Sequence, residues 1–234
     1  EGLEKYPESQ PLLNNLSSLA LVDNNYILAR ETIEKSLKLN NKSPNALLNY
    51  GCLYFYQNNH KKAFEYFQKS LETNKQPATY IMLGEYYKAN NKLKDARKSF
   101  LKAIDLDEYS PAYYPLTEVM SLKENDPIVN KIKSLSVDKN LPANFKSTYY
   151  FSLWNIYKDN HNQEQAFKYL VSANKLIRET IDYSTIESKE KIQNLINQDY
   201  SILKEPTKSK SPNIIFIIGM PRSGTSLIEQ ILSS

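Results

Sequence analysis

Arg222 stands among glycines and hydroxylated side chains in Gly219-Met220-Pro221-Arg222-Ser223-Gly224-Thr225-Ser226, a set suited to holding an oxyanion. A planar guanidinium can grip two anionic oxygens at once, and the hydroxyls of Ser223, Thr225 and Ser226 add donors. Gly219 and Gly224 keep the Gly-x-x-x-x-Gly spacing of a nucleoside-triphosphate loop, with Ser226 where that motif carries Ser or Thr. The Lys that should precede this hydroxyl, and that reaches the β- and γ-phosphates, is replaced by Thr225. An ATPase or GTPase thereby loses its main charge. The cation inside the loop suits one terminal phosphate and a charged transferring group better than a triphosphate with Mg²⁺. A nucleotide-kinase relative and a plain strand-to-helix turn stay open as alternatives.

Two elements must position that loop. The β-branched run Ile214-Ile215-Phe216-Ile217-Ile218 predicts a buried parallel strand. Thr225 and Ser226 open an amphipathic helix with Leu227, Ile228, Ile231 and Leu232 on its inner stripe. A strand, a glycine-flanked loop and a helix N-terminus direct unpaired N–H groups and the positive helix end at one anion. Glu229 lies one turn into this helix and reads as an ion-pairing residue rather than a base.

The string from Gly219 to Leu232 resembles the 5′-phosphosulfate-binding loop of sulfotransferases. It is most similar to the loop of bacterial proteins that join tetratricopeptide repeats to a sulfotransferase domain, and tyrosylprotein sulfotransferases have a similar Pro-Arg-Ser-Gly-Thr core. The resemblance implies 3′-phosphoadenosine 5′-phosphosulfate as co-substrate, bound by Pro221, Arg222, Ser223, Gly224, Thr225 and Ser226. It also implies that Arg222 neutralises the charge growing on the leaving side as the sulfuryl group departs. The catalytic base and the residues for the 3′-phosphate are expected beyond Ser234.

Composition narrows the rest. The 234 residues hold 30 Lys and Arg against 26 Asp and Glu, a net charge of +4 with no basic stripe for nucleic acid. Cys52 is the single cysteine, which excludes an internal disulfide and reads as a packed helix residue. No apolar run approaches the ~18 residues of a membrane span. His60 and His161 each follow an Asn and read as solvated turn residues, and no His/Cys/Asp cluster has metal-ligand spacing. A soluble cytoplasmic protein is expected. The chain opens on Glu1 and ends inside a helix, which reads as a piece of a longer protein and leaves an upstream signal peptide open.

Internal repetition organises the first 200 residues. Pro44, Gly51, Ala63, Phe67 and Ser70 recur 33 residues on as Pro77, Gly84, Ala96, Phe100 and Ala103. Stepping back 34 residues from Ala63, Phe67 and Ser70 gives Ala29, Ile33 and Ser36. A period of about 34 with small residues at fixed places resembles the tetratricopeptide repeat. Repeats are read at 10–43, 44–76 and 77–110, with turns at Asn58-Asn59 and Asn90-Asn91. A degenerate helix pair is expected at 111–123 and 127–136, the second capped by Asp126-Pro127. A clearer unit follows over Tyr149–Ile181, with Ala166, Phe167 and Ala173 at repeat positions, then a helix at 185–203.

The expected fold is mostly α. A helical-repeat solenoid over 1–204 and a linker at 205–212 lead to the first strand-loop-helix of an α/β sulfotransferase domain at 213–234. Stacked helix pairs offer a concave face for a protein or peptide. Among the eighteen tyrosines, Tyr54, Tyr66, Tyr86 and Tyr87 read as packing residues. Leu48 and Ile81 supply no basic side chain at inner positions that would grip a chaperone's carboxylate tail. Two functions follow: sulfuryl transfer to an acceptor hydroxyl, of tyrosine or of a sugar, or a binding module without catalysis.

Overall fold

The computed structural model describes residues 5–181 and 185–197. The chain divides into two units, Glu1–Asp182 and Tyr183–Ser234. The first holds α1 (Gln10–Val22), α2 (Tyr26–Leu39), α3 (Pro44–Tyr56), α4 (His60–Thr73), α5 (Pro77–Ala89) and α6 (Leu93–Leu106). It continues with α7 (Tyr113–Val119), α8 (Pro127–Ser136), α9 (Ala143–Asp159) and α10 (Gln163–Thr180). The second unit is described only over α11 (Thr185–Ile196) and Asn197; the remainder of the predicted 185–203 helix lies outside the described residues, as does the predicted strand. No strand occurs among the described residues.

The first unit is a helical-repeat solenoid. Helices pair as α1 with α2, α3 with α4, α5 with α6 and α9 with α10. Each second helix also packs on the next first helix, as α2 on α3, α4 on α5 and α6 on α7. First helices touch one another directly: α1 with α3, α3 with α5, and α7 with α9.

Local chemistry sets these boundaries. Pro44, Pro77 and Pro127 open α3, α5 and α8, where a missing N–H costs nothing. Asp126 caps α8 by accepting from the Ile128 N–H at 2.9 Å. Each tight turn inside a pair places one residue in the left-handed region: Asn24 (φ 56°), Asn58 (58°), Asn91 (56°) and His161 (60°). The next residue caps the following helix at three of the four, with Asn25, Asn59 and Asn162 accepting from Leu28, Lys62 and Gln165. Asn tolerates both tasks because its short amide bonds locally to the backbone. The third turn keeps the same geometry with a different cap residue: Asn90 follows α5, Asn91 is left-handed and Lys92 leads into α6 without a side-chain cap. Asn58→Ala should lower stability by about 1 kcal/mol, because Ala keeps the Cβ that disfavours this backbone region and loses the short amide that offsets it, while Asn58→Gly removes the Cβ and should not. Urea midpoints of the two variants decide it; equal losses would trace the effect to the side chain instead.

The small residues of the period let the paired helices cross closely. Phe67 and Phe100 are fully buried against Gly51 and Gly84. In the first repeat the same places hold Ser17 and Ile33, both fully buried. Ser17 then needs a partner for its hydroxyl, and Asn49 on α3 donates to it at 2.7 Å and to the Asn14 carbonyl at 3.0 Å. Ser36 donates to the Asn14 side chain at 2.7 Å, completing a satisfied polar junction of α1, α2 and α3.

One expectation is corrected here. The helix predicted at 111–123 spans only Tyr113–Val119, because the chain turns extended at Met120 and buries Leu122, whose carbonyl accepts from Asn160 at 2.7 Å. In α10, Ala166 and Ala173 are buried but Phe167 is 66% exposed. Phe167 follows the buried alanine just as Phe64 follows Ala63, and Phe64 stacks on Tyr86 of the next first helix at 5.3 Å.

Candidate functional site

Pro221, Arg222, Ser223, Gly224, Thr225 and Ser226 lie outside the described residues, as do Ile214 to Ile218 and Glu229. The site that can be built from geometry is carried by the first helices α3, α5, α7 and α9. Of these, α3 packs on α5 and α7 on α9, and an ion pair joins α5 to α7.

At the middle of this row of helices Lys88 of α5 meets two carboxylates. Its ammonium lies 2.8 Å from Glu85, one turn earlier, and 2.7 Å from Glu118 on α7. Burial alone would push the Lys88 pKa down, but the two carboxylates outweigh it and the pKa is raised. The ion pair to Glu118 joins residues 30 apart in sequence and so ties two repeats together. Tyr56, 46% exposed at the end of α3, continues the row, its phenol pushed up chiefly by burial, with the Glu85 carboxylate adding to it.

On the other side of Glu118 the row becomes aromatic. Tyr114 of α7 meets Phe151 of α9 edge-on at 6.3 Å between centroids, and Phe151 meets Trp154 edge-on at 6.4 Å. The Tyr114 phenol is pushed up by burial and by Glu118. Lys158 lies over Trp154 at 5.0 Å and donates to the Asn155 side chain at 2.7 Å. Asn155 in turn donates to the Thr117 carbonyl at 3.0 Å and hydroxyl at 3.1 Å, locking α9 onto α7 beneath the row. Four rings, two carboxylates and two ammonium groups therefore make up the row, its α7 and α9 part fixed from below by these hydrogen bonds.

Other residues singled out in the sequence are structural. Cys52 is buried and its thiol is pushed up to about 12 by burial, so it is a packing residue. Tyr54 is buried in a stack with Tyr50 and Tyr66, and Arg30 lies over the Tyr50 and Tyr54 rings at 5.8 and 5.6 Å. Tyr86 and Tyr87 take up Phe64 at the junction of α4 with α5. Leu48 is buried and Ile81 half-buried, so neither brings a cation to the row. His161 is an exposed turn residue, as its neighbours imply. His60 departs from that reading. It opens α4, half-buried against Phe55 and Tyr86, with Nδ1 3.2 Å from the Asn90 amide nitrogen. Among the described residues no group of His, Cys, Asp and Glu could hold a metal ion, and no helix is long and apolar enough to cross a membrane.

The row itself escaped sequence reasoning. Glu85, Lys88 and Glu118 look like ordinary charged helix residues until α5 and α7 are placed side by side. One signal was available: Glu85 and Lys88 are three residues apart and Glu118 falls one repeat period after Glu85.

Comparisons agree with this architecture. Residues 44–76 and 77–109 each match the tetratricopeptide repeat. A protein of Aquifex aeolicus (strain VF5), described only as uncharacterized, is 32% identical over 120 residues. That match covers 50% of this chain, which spans 16% of the relative's length. Among solved structures, Pseudomonas aeruginosa pilF superposes with a TM-score of 0.52 at 16% identity, covering 82% of this chain and 85% of that one. Yeast Tom70 superposes with a TM-score of 0.57 at 16% identity, covering 84% of this chain and 43% of its own. These likenesses are ones of fold. The chain contains tetratricopeptide repeats, a type of unit suited to protein interaction.

Proposed function

We propose that the repeats form a protein-docking module whose working surface is the row on the first helices. The observation that carries this reading is the continuity of the row across α3, α5, α7 and α9. Rings and charges stand at successive first helices, fixed from below by the Asn155–Thr117 hydrogen bonds. An extended segment needs such a series of anchor points, and a rigid backing lowers the entropy lost on binding. Site-specific photo-crosslinking tests it. A photoreactive residue replacing Tyr114 should capture a partner, one replacing Lys98 on the second helix α6 should not, and Phe151→Glu should abolish capture while the helical signal stays intact. Capture through Lys98 alone would move the docking surface elsewhere.

A second reading rests on the loop Pro221–Ser226 and its resemblance to the phosphosulfate-binding loop. Here the protein is a sulfotransferase and the docking module presents the acceptor. The acceptor hydroxyl oxygen forms a bond to sulfur as the bond from sulfur to the bridging phosphate oxygen breaks. The acceptor's proton passes to a base expected after Ser234, and adenosine 3′,5′-bisphosphate leaves. Arg222 would hold the charge that grows on the phosphate side, while Ser223, Gly224, Thr225 and Ser226 donate to the 5′-phosphate. The loop's chemistry supports this reading, and the two readings are compatible.

A further inference from the structure

We infer that the first-helix row takes a basic, apolar segment: an Arg or Lys set against Glu85 and Glu118, with an apolar side chain two residues away over Phe151 and Trp154. This deepens the docking reading above and rests on it.

Charge carries the first half. Lys88 lies 2.8 Å from Glu85 and 2.7 Å from Glu118, and among the described residues neither carboxylate forms an ion pair with another cation. One ammonium therefore serves two carboxylates, and the trio keeps one uncompensated negative charge. Farther along, Lys158 lies 3.7 Å from Asp159 and its charge is answered there. The side chains of Glu85, Lys88 and Glu118 are only 30–35% exposed, so an arriving cation is screened less than at an open surface. An acidic segment would meet that excess charge with repulsion.

Shape carries the second half. Glu118 stands one turn after Tyr114 on α7, so a cation drawn to the carboxylate also meets the Tyr114 ring. Arg fits best, since its planar group can fork onto a carboxylate and stack on a ring. In an extended strand, residues two apart point the same way, about 6.6–7 Å along the chain. That step matches the 6.3 Å between Tyr114 and Phe151 and the 6.4 Å between Phe151 and Trp154.

Trp154 is the chain's only tryptophan, so its emission reports directly on this surface. The probes are three acetylated, amidated decapeptides in a Gly/Ser background, bearing Arg-Ser-Leu, Glu-Ser-Leu or Gln-Ser-Leu at the centre. The Arg peptide should shift Trp154 emission saturably and the Glu peptide should not, with the Gln peptide between them. Glu118→Gln and Glu85→Gln should each weaken the Arg peptide by about five- to tenfold, the effect of losing one partly shielded charge partner. Equal or tighter binding of the Glu peptide, or unchanged affinity in both Gln variants, overturns the charge preference while leaving the row a docking surface. No response to any of the three peptides overturns the docking reading together with it.

Discussion

Gly84→Ala should destabilise the first unit by about 2–3 kcal/mol, even though Ala is the better helix former by up to about 1 kcal/mol. A methyl on Gly84 would lie 2.4 Å from Phe100 Cε1, 2.6 Å from Cδ1 and 2.7 Å from Cζ. Phe100 is fully buried in the cluster of Tyr80, Ala96, Ala103, Ala112 and Leu116, so its ring has no free space to retreat into. Relief must come from separating α5 and α6 or from pushing the ring off its partners, and either change forfeits close packing. Gly51→Ala faces the same conflict, with Phe67 Cδ1 and Cε1 each at 2.5 Å and the Ala63 carbonyl at 3.3 Å. The first repeat indicates the remedy, since Ser17 there goes with Ile33. Adding Phe100→Ile to Gly84→Ala should recover about 1 kcal/mol or more of the loss, a coupling usual for residues in contact. Urea unfolding followed by helical circular dichroism measures all three variants. An unmoved midpoint for Gly84→Ala would mean that the α5–α6 crossing is looser than these distances require.

That pairing also explains what could be read from the residues alone. Gly51, Gly84, Phe67 and Phe100 are legible because the period repeats a steric requirement, and a steric requirement leaves few residue types open. The turn at Asn58-Asn59 is legible for the same reason, since a left-handed residue followed by a helix cap restricts both positions. The matching turn at Asn24-Asn25 follows the same rule, but Asp23 before it and the lack of a helix whose first residue is proline, as at Pro44 and Pro77, make it less conspicuous in the sequence. Asn14, Ser17, Ser36 and Asn49 were not legible as core. A polar/apolar pattern assigns such residues to the surface, and only the assembled junction shows that their hydrogen bonds close on one another. Phe167 keeps the repeat position that its residue type suits, but its 66% exposure was not legible, because burial depends on whether another helix covers it. The docking row failed for a third reason. Its central ion pair spans α5 and α7, and a one-dimensional pattern holds no record of which charges face each other across a helix boundary. The loop at Arg222 is legible as chemistry through residue types and spacing, yet it lies outside the described residues, so its strand and helix rest on sequence alone.

Arg222→Ala, made in the full-length protein, tests the proposed transfer chemistry with the largest effect expected here. On that reading turnover of 3′-phosphoadenosine 5′-phosphosulfate should fall by about 10²–10³, the usual cost of deleting one preorganised donor to developing charge. Before reaction the negative charge is spread over phosphate and sulfate oxygens, which the loop N–H groups, Ser223, Thr225 and Ser226 can already hold. As sulfur moves to the acceptor, charge gathers on the bridging oxygen, and a guanidinium beside it gains most at that moment. The loss should therefore fall mainly on kcat, with KM for the donor changed by a smaller factor. Arg222→Lys should restore only part of the activity, because an ammonium supplies charge without the two-pronged geometry. Thr225→Ala and Ser226→Ala should instead raise KM, since on that reading their hydroxyls would face the 5′-phosphate in substrate and transition state alike. Radiolabelled sulfate transfer to a tyrosine peptide and to a sugar acceptor, with calorimetric binding of adenosine 3′,5′-bisphosphate alongside, separates these effects. If wild type binds the bisphosphate and transfers sulfate while Arg222→Ala does so at the same rate, Arg222 has no part in the chemistry. If wild type binds no bisphosphate at all, the loop is a turn between a strand and a helix, and the protein is its docking module.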